Sequence, residues 1–166
     1  YKITTIIVTH DSNEAFYLGD KCGVLLNGKL KQFDEPYNVY HSPNSEDIVK
    51  FLNRGVLVPA KVTGEYTLEN EDLGLIKGNF VNRHDIGTEV KLLIQPEDLE
   101  HDDKSNLQLD VVDKKFKGTN FIYTLKTSSQ RLISVFVHSH HVHQHQINDK
   151  FGIKKPIHIK HLVCFS

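Results

Sequence analysis

The residue whose type and position most clearly suggest chemistry is His10, which follows a β-branched run in the sequence ITTIIVTHD. An imidazole at the end of a buried strand can donate a hydrogen bond to a terminal phosphate or to an attacking water. In open α/β sheets ligands bind beyond the carboxyl ends of the strands, where the following helix also presents N–H groups. The alternative is that His10 only satisfies local backbone groups at the strand end.

A second group with metal-binding chemistry is the histidine-rich stretch at residues 138–145, which contains five histidines. In a strand, His141, His143 and His145 would lie on one face, with successive positions about 6 to 7 Å apart. Neutral imidazoles in such a row can bind Zn²⁺ or another first-row metal. No cysteine and no evident carboxylate supports them. We therefore expect an exposed strand end or loop and no metal, with these three histidines as the candidate ligands if a site exists.

The charge balance gives no reason to expect a nucleic-acid or anionic-lipid partner. Lys and Arg total 20 against 21 for Asp and Glu, a formal net charge of -1. A basic run at residues 114–117, together with Phe116, Phe121 and Tyr123, could form a stacking surface for nucleic acid, but alternating aromatic residues are more often part of a core. The acidic residues near positions 97–103 are interpreted as a solvated face. We expect no nucleic-acid partner.

The cysteines and the apolar runs bound the cellular setting. Cys22 and Cys164 lie far apart without a CxxC spacing, which indicates neither a disulfide framework nor a thiolate zinc site. A reducing cytosol is the simplest setting for such a chain. No apolar run approaches the roughly 20 residues of a membrane-spanning helix, and no signal-peptide pattern is present. Any connection to a membrane is therefore expected to run through a partner.

A strand and a helix would position His10. Residues 3–8 are apolar apart from threonines, which predicts a strand buried on both faces, as in a parallel sheet covered by helices. Asp11 and Glu14 have the spacing of a capping box, in which the first side chain caps the helix and the second reaches back to the cap. This pattern predicts a helix over residues 12–18 that ends at Gly19.

A hairpin and a second helix should follow. Asn27-Gly28 lies between the strand-like residues 21–26 and 29–33, which predicts a tight type I′ turn. Residues 46–52 predict a helix. Its apolar side would comprise Ile48, Val49, Phe51 and Leu52.

The texture of the sequence changes after a boundary expected near residues 53–55. Short β-type runs then alternate with Gly, Asn, Asp and Ser, which is typical of a small antiparallel sandwich or barrel. The predicted strands are residues 56–62, 90–94, 108–116, 121–126, 132–137 and 157–165.

The order of features between residues 2 and 53 can be compared with known families. It runs strand, Thr9-His10-Asp11, Glu14-Ala15, Leu18-Gly19-Asp20, apolar strand, Asn27-Gly28-Lys29, Phe33-Asp34, Tyr40, Pro43 and Phe51-Leu52. This order resembles the C-terminal part of the ATP-binding subunits of ABC transporters, in which the histidine is the switch, or H-loop, residue. Asn53 stands where that family usually has glycine.

The remainder of the chain contains a second resemblance. Ile94-Gln95-Pro96-Glu97-Asp98-Leu99 is similar to the Arg-Pro-Glu-Asp/His motif of the TOBE regulatory domain, an OB-fold-like β-barrel on importer ATPases. Gln95 replaces the usual arginine there. The segments that look most like ferric-iron importer subunits are Phe116-Lys117-Gly118, Tyr123-Thr124-Leu125, Ser139-His140-His141-Val142-His143 and His161-Leu162-Val163-Cys164-Phe165.

These resemblances imply an α/β remnant of a nucleotide-binding domain in residues 1–53, followed by an all-β, OB-fold-like TOBE barrel in residues 54–166. His10 would contact the γ-phosphate of ATP, with Mg²⁺ also bound in the intact subunit. That subunit would be an ABC-type ATPase that imports iron(III) or another ion. Its partners would be a second copy, in a homodimer, and a membrane permease. It would lie in the cytoplasm, peripheral to the inner face of the cell membrane.

The sequence lacks three features that such an ATPase needs. These are a phosphate loop of the form GxxxxGK(S/T), an LSGGQ-like signature and an apolar strand ending in Asp-Glu. The chain also contains no Met and begins at Tyr1. We therefore expect a fragment that binds no cofactor and does not hydrolyse ATP by itself. The alternatives are a standalone β-barrel module that binds a ligand or a metal, and a dimerisation module.

Overall fold

A computed structural model describes residues 3–140 and 144–166. The chain forms two compact units, Tyr1–Asn53 (unit 1) and Arg54–Ser166 (unit 2). Among the described residues, no helix combines the length and the apolar character that a membrane crossing requires.

From residue 3 onward, where the structure describes it, unit 1 contains three short helices and one hairpin. Its elements are α1 (Ser12–Leu18), β1 (Cys22–Leu26), β2 (Lys29–Asp34), α2 (Pro36–His41) and α3 (Glu46–Leu52). Its core comprises Cys22, Val24, Val39, Ile48 and Leu52, against which Ala15, Phe16 and Leu26 pack.

The turn between β1 and β2 is of the predicted type. Asn27 and Gly28 have φ angles of 52° and 70°, both positive, as a type I′ turn requires. Leu26 pairs directly with Lys29 across it. A short polar residue and a glycine adopt this conformation at little steric cost, so the local sequence determines the hairpin.

Helix α3 has the predicted bounds, but one of the four residues predicted on its apolar side is not buried. Ile48, Val49 and Leu52 are buried, whereas Phe51 is 53% exposed. At about 100° per residue, Phe51 lies roughly a quarter turn or more from the centre of the other three side chains. The helix ends at Asn53, whose φ of 51° and ψ of 42° place it in the left-handed region, where asparagine can replace glycine.

The strand predicted for residues 3–8 is wrong. These residues pair with no strand in the part of the chain that the structure describes, and Ile3, Ile6 and Val8 are 81%, 88% and 94% exposed. A β-branched run favours extended backbone, but a strand forms only where a neighbour completes its hydrogen bonds. The composition of the segment was therefore not a guide to its pairing.

Unit 2 is all-β, as predicted, with curled sheets of the OB-fold-like kind. Its strands are β3 (Val56–Gly64), β4 (Thr67–Asn70), β5 (Gly74–Phe80), β6 (Glu89–Ile94), β7 (Gln108–Phe116), β8 (Asn120–Lys126), β9 (Leu132–His138), β10 (Lys150–Gly152), β11 (Ile157–Leu162) and β12 (Cys164–Phe165). Strands β4, β5 and β10 were not predicted, and β11 and β12 were predicted as one strand.

The described strands of unit 2 form two sheets. The larger has the order β11-β5-β4-β3-β6-β12 and the smaller the order β10-β7-β8-β9. All neighbours are antiparallel except β11 and β5, which are parallel. Only Val163 separates β11 from β12, although they are at opposite edges of the larger sheet. One residue spans about 3.5 Å, so the two edges must come together and the sheet must curl.

The core of unit 2 lies inside this curl. Buried positions alternate with exposed ones along β3 and with half-buried ones along β9, as they do in strands with one face on a core. The inward side chains include Val58, Val62, Ile133 and Val135, and Tyr123 and Phe151 are the largest fully buried ones.

A hydrogen-bonded cluster joins the turn after β4 to the turn between β8 and β9. Oδ1 of Asp72 accepts from the Ser128 hydroxyl at 2.6 Å and from the Ser129 N–H at 2.9 Å, and Oδ2 accepts from the Ser129 hydroxyl. Arg131 Nη1 lies 2.6 Å from Glu71 Oε1 and 3.6 Å from Asp72 Oδ2. Burial by itself would raise the pKa of Asp72, but the hydrogen bonds outweigh it and lower the pKa to about 2.

Replacing Asp72 with Asn is expected to lower the free energy of unfolding by roughly 1 to 2 kcal/mol at neutral pH, because the charge-assisted hydrogen bonds are lost. The folded-state pKa of about 2 is below the unfolded value of about 3.9. The stabilisation is therefore present above about pH 4 and disappears as the pH falls towards 2. The difference in the free energy of unfolding between the unchanged chain and Asp72→Asn should narrow over that range. Urea unfolding followed by circular dichroism measures this free energy at each pH.

Glu69→Gln is the matched control, because Glu69 is an exposed carboxylate on β4 of the same hairpin. We expect it to change the free energy of unfolding by less than about 0.5 kcal/mol. Equal losses in both variants, or a loss at Asp72 that does not depend on pH, would contradict the role assigned to the Asp72 carboxylate.

Candidate functional site

His10 is exposed, and it lies immediately before the N-cap of α1. The backbone on both sides of it is tied to the helix. The Thr9 hydroxyl donates to Glu14 Oε2 and accepts from the Asp11 N–H at 3.1 Å. Oδ1 of Asp11 in turn accepts from the Asn13 N–H at 2.7 Å. The segment therefore presents an accessible imidazole from an anchored stretch of main chain.

The observed hydrogen bonds differ in one respect from those of the predicted capping box. Asp11 is the N-cap, as predicted, and the helix ends with the Gly19 N–H bonded to the Ala15 carbonyl at 3.1 Å. The return contact from Glu14 to the cap runs through the hydroxyl of Thr9 and not directly to the backbone. A threonine hydroxyl two residues before an N–H readily makes such a local bond. The hydrogen bond from Thr9 to Glu14 thus connects the segment that carries His10 to α1.

The histidine-rich stretch differs from its predicted strand geometry. His141 and His143 lie outside the described residues. His145 is described and belongs to the loop between β9 and β10, so the predicted row of same-face histidines does not hold at His145. Its ring centroid lies 4.9 Å from that of His101, which was not among the predicted ligands.

His145, His101 and Asp103 together form a compact cluster, here called the His101 cluster. Nε2 of His145 lies 2.9 Å from Nε2 of His101 and 3.1 Å from Oδ1 of Asp103, and the third distance, from His101 Nε2 to Asp103 Oδ1, is 2.9 Å. His145 was a candidate ligand from the sequence and Asp103 was interpreted as part of an acidic face, whereas His101 was not predicted. The spacing His-x-Asp is the one local signal, because His145 is 44 residues away from His101.

The motif at residues 94–99 forms a tight turn after β6. Oδ2 of Asp98 accepts from the Gln95 N–H at 2.7 Å, and the Asp98 N–H donates to the Gln95 carbonyl at 3.0 Å. The Pro96 carbonyl accepts from the Phe136 N–H at 2.9 Å. Burial raises the pKa of Asp98 to about 7, the Gln95 N–H offsets this in part, and the charge of Glu97 adds to it. The motif thus joins the end of β6 to β9, which is a structural role.

Comparison with known proteins gives no match to a family model but clear relatives. The chain is 29% identical over 153 residues to the spermidine/putrescine import ATP-binding protein PotA of Mycoplasma genitalium, which covers 91% of this chain and 27% of the relative. It is 30% identical over 132 residues to the Fe(3+) ions import ATP-binding protein FbpC of Pseudomonas fluorescens, covering 77% and 36%. A PotA protein of Mesomycoplasma hyopneumoniae is 32% identical over 130 residues, covering 76% and 28%.

The chain therefore spans between about a quarter and somewhat over a third of the length of these relatives. All three are import ATP-binding proteins, two named for polyamines and one for Fe(3+). The resemblance stated from the sequence motifs is confirmed by these alignments. The chain belongs to the family of ABC importer ATP-binding subunits, with which it aligns over most of its own length.

Proposed function

We propose that the chain is the C-terminal part of the ATP-binding subunit of an ABC importer, with the switch histidine in unit 1 and a TOBE-like regulatory barrel in unit 2. The intact subunit couples ATP binding and hydrolysis to the uptake of a solute. The observation that carries this proposal is the exposed, anchored imidazole of His10, in a chain of which 91% aligns with one import ATP-binding protein and 77% with another.

His10 suits one task in that subunit, which is to donate a hydrogen bond to the γ-phosphate of ATP. A positioned donor stabilises the charge that develops on a transferring phosphoryl group, and its effect depends on a fixed geometry. The hydrogen bonds around Thr9 and Asp11 provide that fixed geometry for the main chain of His10. Mg²⁺ and the other phosphates require groups that this sequence does not contain. In this proposal they come from the remainder of the intact subunit.

The partners in this proposal are a second copy of the subunit and a membrane permease, at the cytoplasmic face of the membrane. Exposed apolar side chains on unit 1 support a covering by further protein, since large exposed apolar groups gathered in a small unit are typical of contact surfaces. They include Ile6, Val8, Leu25, Leu30 and Phe33. The solute is proposed to be a cation, iron(III) or a polyamine, because the relatives are named for these two.

The native gene offers a direct test. We expect the reading frame upstream of the Tyr1 codon to encode a phosphate loop of the form GxxxxGK(S/T) and an LSGGQ-like signature, because binding of the phosphates depends on them. Sequencing of the locus shows whether the two motifs are encoded there. A start codon directly before Tyr1, with no such motif upstream, would favour the standalone β-barrel module.

Replacing His10 with Ala in the intact subunit tests the role of the imidazole. ATP binding should stay within about twofold, whereas ATP hydrolysis and transport should fall by roughly 100-fold, because the lost donor acts on the transferring phosphoryl group. Nucleotide titration and steady-state ATPase assays with the permease present separate the two effects.

His138→Ala is the control for this experiment, because it removes an exposed histidine at the end of β9 in unit 2. It should leave both ATP binding and turnover unchanged. Unchanged ATPase activity in His10→Ala, or an equal loss in the two variants, would exclude the switch role of His10.

A further inference from the structure

Three atoms that commonly ligate metals converge in the His101 cluster. The Nε2 atoms of His101 and His145 and Oδ1 of Asp103 form a triangle with sides of 2.9, 2.9 and 3.1 Å. Two ligand atoms at right angles about a metal, each about 2.1 Å from it, are about 3.0 Å apart. The triangle therefore has the size of one face of an octahedral coordination shell. A tetrahedral face, with edges of about 3.4 Å, needs only a small expansion.

We propose that His101, Asp103 and His145 form a binding site in unit 2 for a divalent first-row transition metal. This site is separate from ATP binding and does not depend on the function proposed above. Its ligands come from two segments that are distant in sequence, the residues after β6 and the loop before β10. A bound ion would link these segments and stabilise unit 2.

The donor set favours this class of ion. Two imidazoles and one carboxylate suit Zn²⁺, Fe²⁺, Mn²⁺, Co²⁺ and Ni²⁺, whereas the absence of thiolate and thioether groups in this set disfavours Cu⁺. When each imidazole carries its proton on Nδ1, both Nε2 lone pairs and Asp103 Oδ1 are acceptors, and one cation can bind all three atoms at once. The negative charge of Asp103 adds to the attraction.

The surroundings hold the two imidazoles in place. The ring of His101 lies 4.5 Å from that of Phe151, and the ring of His145 lies 4.9 Å from Phe151 and 6.1 Å from Tyr123, measured between centroids. Phe151 and Tyr123 are fully buried. The side chains of His101, His145 and Asp103 are 6%, 14% and 39% exposed. The site thus has an apolar floor, and the partly exposed Asp103 side chain keeps it in contact with solvent.

Main-chain contacts also fix both ligand-bearing segments before any ion binds. The Asp102 N–H donates to the Gly152 carbonyl at 2.9 Å, which joins the segment that carries His101 and Asp103 to β10. Gly152 permits this approach, because a Cβ there would lie 1.9 Å from the Asp102 carbonyl oxygen. The His145 carbonyl accepts from Lys114 Nζ at 3.0 Å. Little conformational freedom remains to be lost on binding, which favours affinity.

Calorimetric titration of the 166-residue chain with Zn²⁺ tests the proposal. We expect one ion per chain, a Kd of about 1 μM or lower, and a rise in Tm when Zn²⁺ is present. His101→Ala and His145→Ala should each weaken binding by about tenfold or more. Asp103→Asn keeps the shape of the side chain and removes its charge, so it tests the site even if a histidine variant does not fold. It too should weaken binding about tenfold.

Two control variants separate this site from general binding by surface histidines. His140→Ala removes an exposed residue of the histidine-rich stretch, and His158→Ala removes an exposed histidine on β11. Both should bind Zn²⁺ within about twofold of the unchanged chain. Three results would overturn the proposal: no binding by the unchanged chain, equal binding by Asp103→Asn and the unchanged chain, or loss of binding in His140→Ala with retention in His101→Ala.

Discussion

The short connection through Val163 constrains all of unit 2. It joins β11 and β12, which pair with opposite edges of the larger sheet, so that sheet must curl until its edges meet. The curl brings β11 beside β5 in the one parallel pairing of the described sheets. Gly78 allows this approach, because a Cβ at this position would lie 1.9 Å from the Ile159 carbonyl oxygen. Buried side chains of both sheets then pack in a shared core.

Local chemistry was a good guide to local structure. The Asn27-Gly28 turn, the bounds of α1 and the bounds of α3 were predictable, because each depends on residues a few positions apart. Pairing across long separations was not predictable in the same way. Residues 3–8 have the composition of a buried strand, but composition does not provide a neighbour. Strand β5 was missed because Gly74 and Gly78 interrupt the usual β pattern, and β4 was missed because its four residues are too few to show one.

The two candidate sites also differ in whether they depend on contacts between residues that are distant in sequence. His10 could be identified from a continuous motif, since a strand-like run, a histidine and a capped helix follow one another directly. The His101 cluster could not, because its members come together through the pairing of β10 with β7 and through the contact of Gly152 with Asp102. The histidine-rich stretch attracted attention by its composition. Among the described histidines of that stretch, His145 is the one that lies beside a carboxylate in the cluster. That carboxylate belongs to Asp103, which is distant in sequence.

The position of β11 and β12 also affects when unit 2 can fold during its synthesis. Both edges of the larger sheet are completed by residues 157–165, so neither edge can close until that segment has left the ribosome. Until then β5 and β6 present unpaired backbone groups, and such edges associate with other chains. Closure also requires contacts between residues about 80 positions apart, which slows folding. Nascent chains of this protein therefore pass through a stage in which protection by a chaperone would favour correct folding over aggregation.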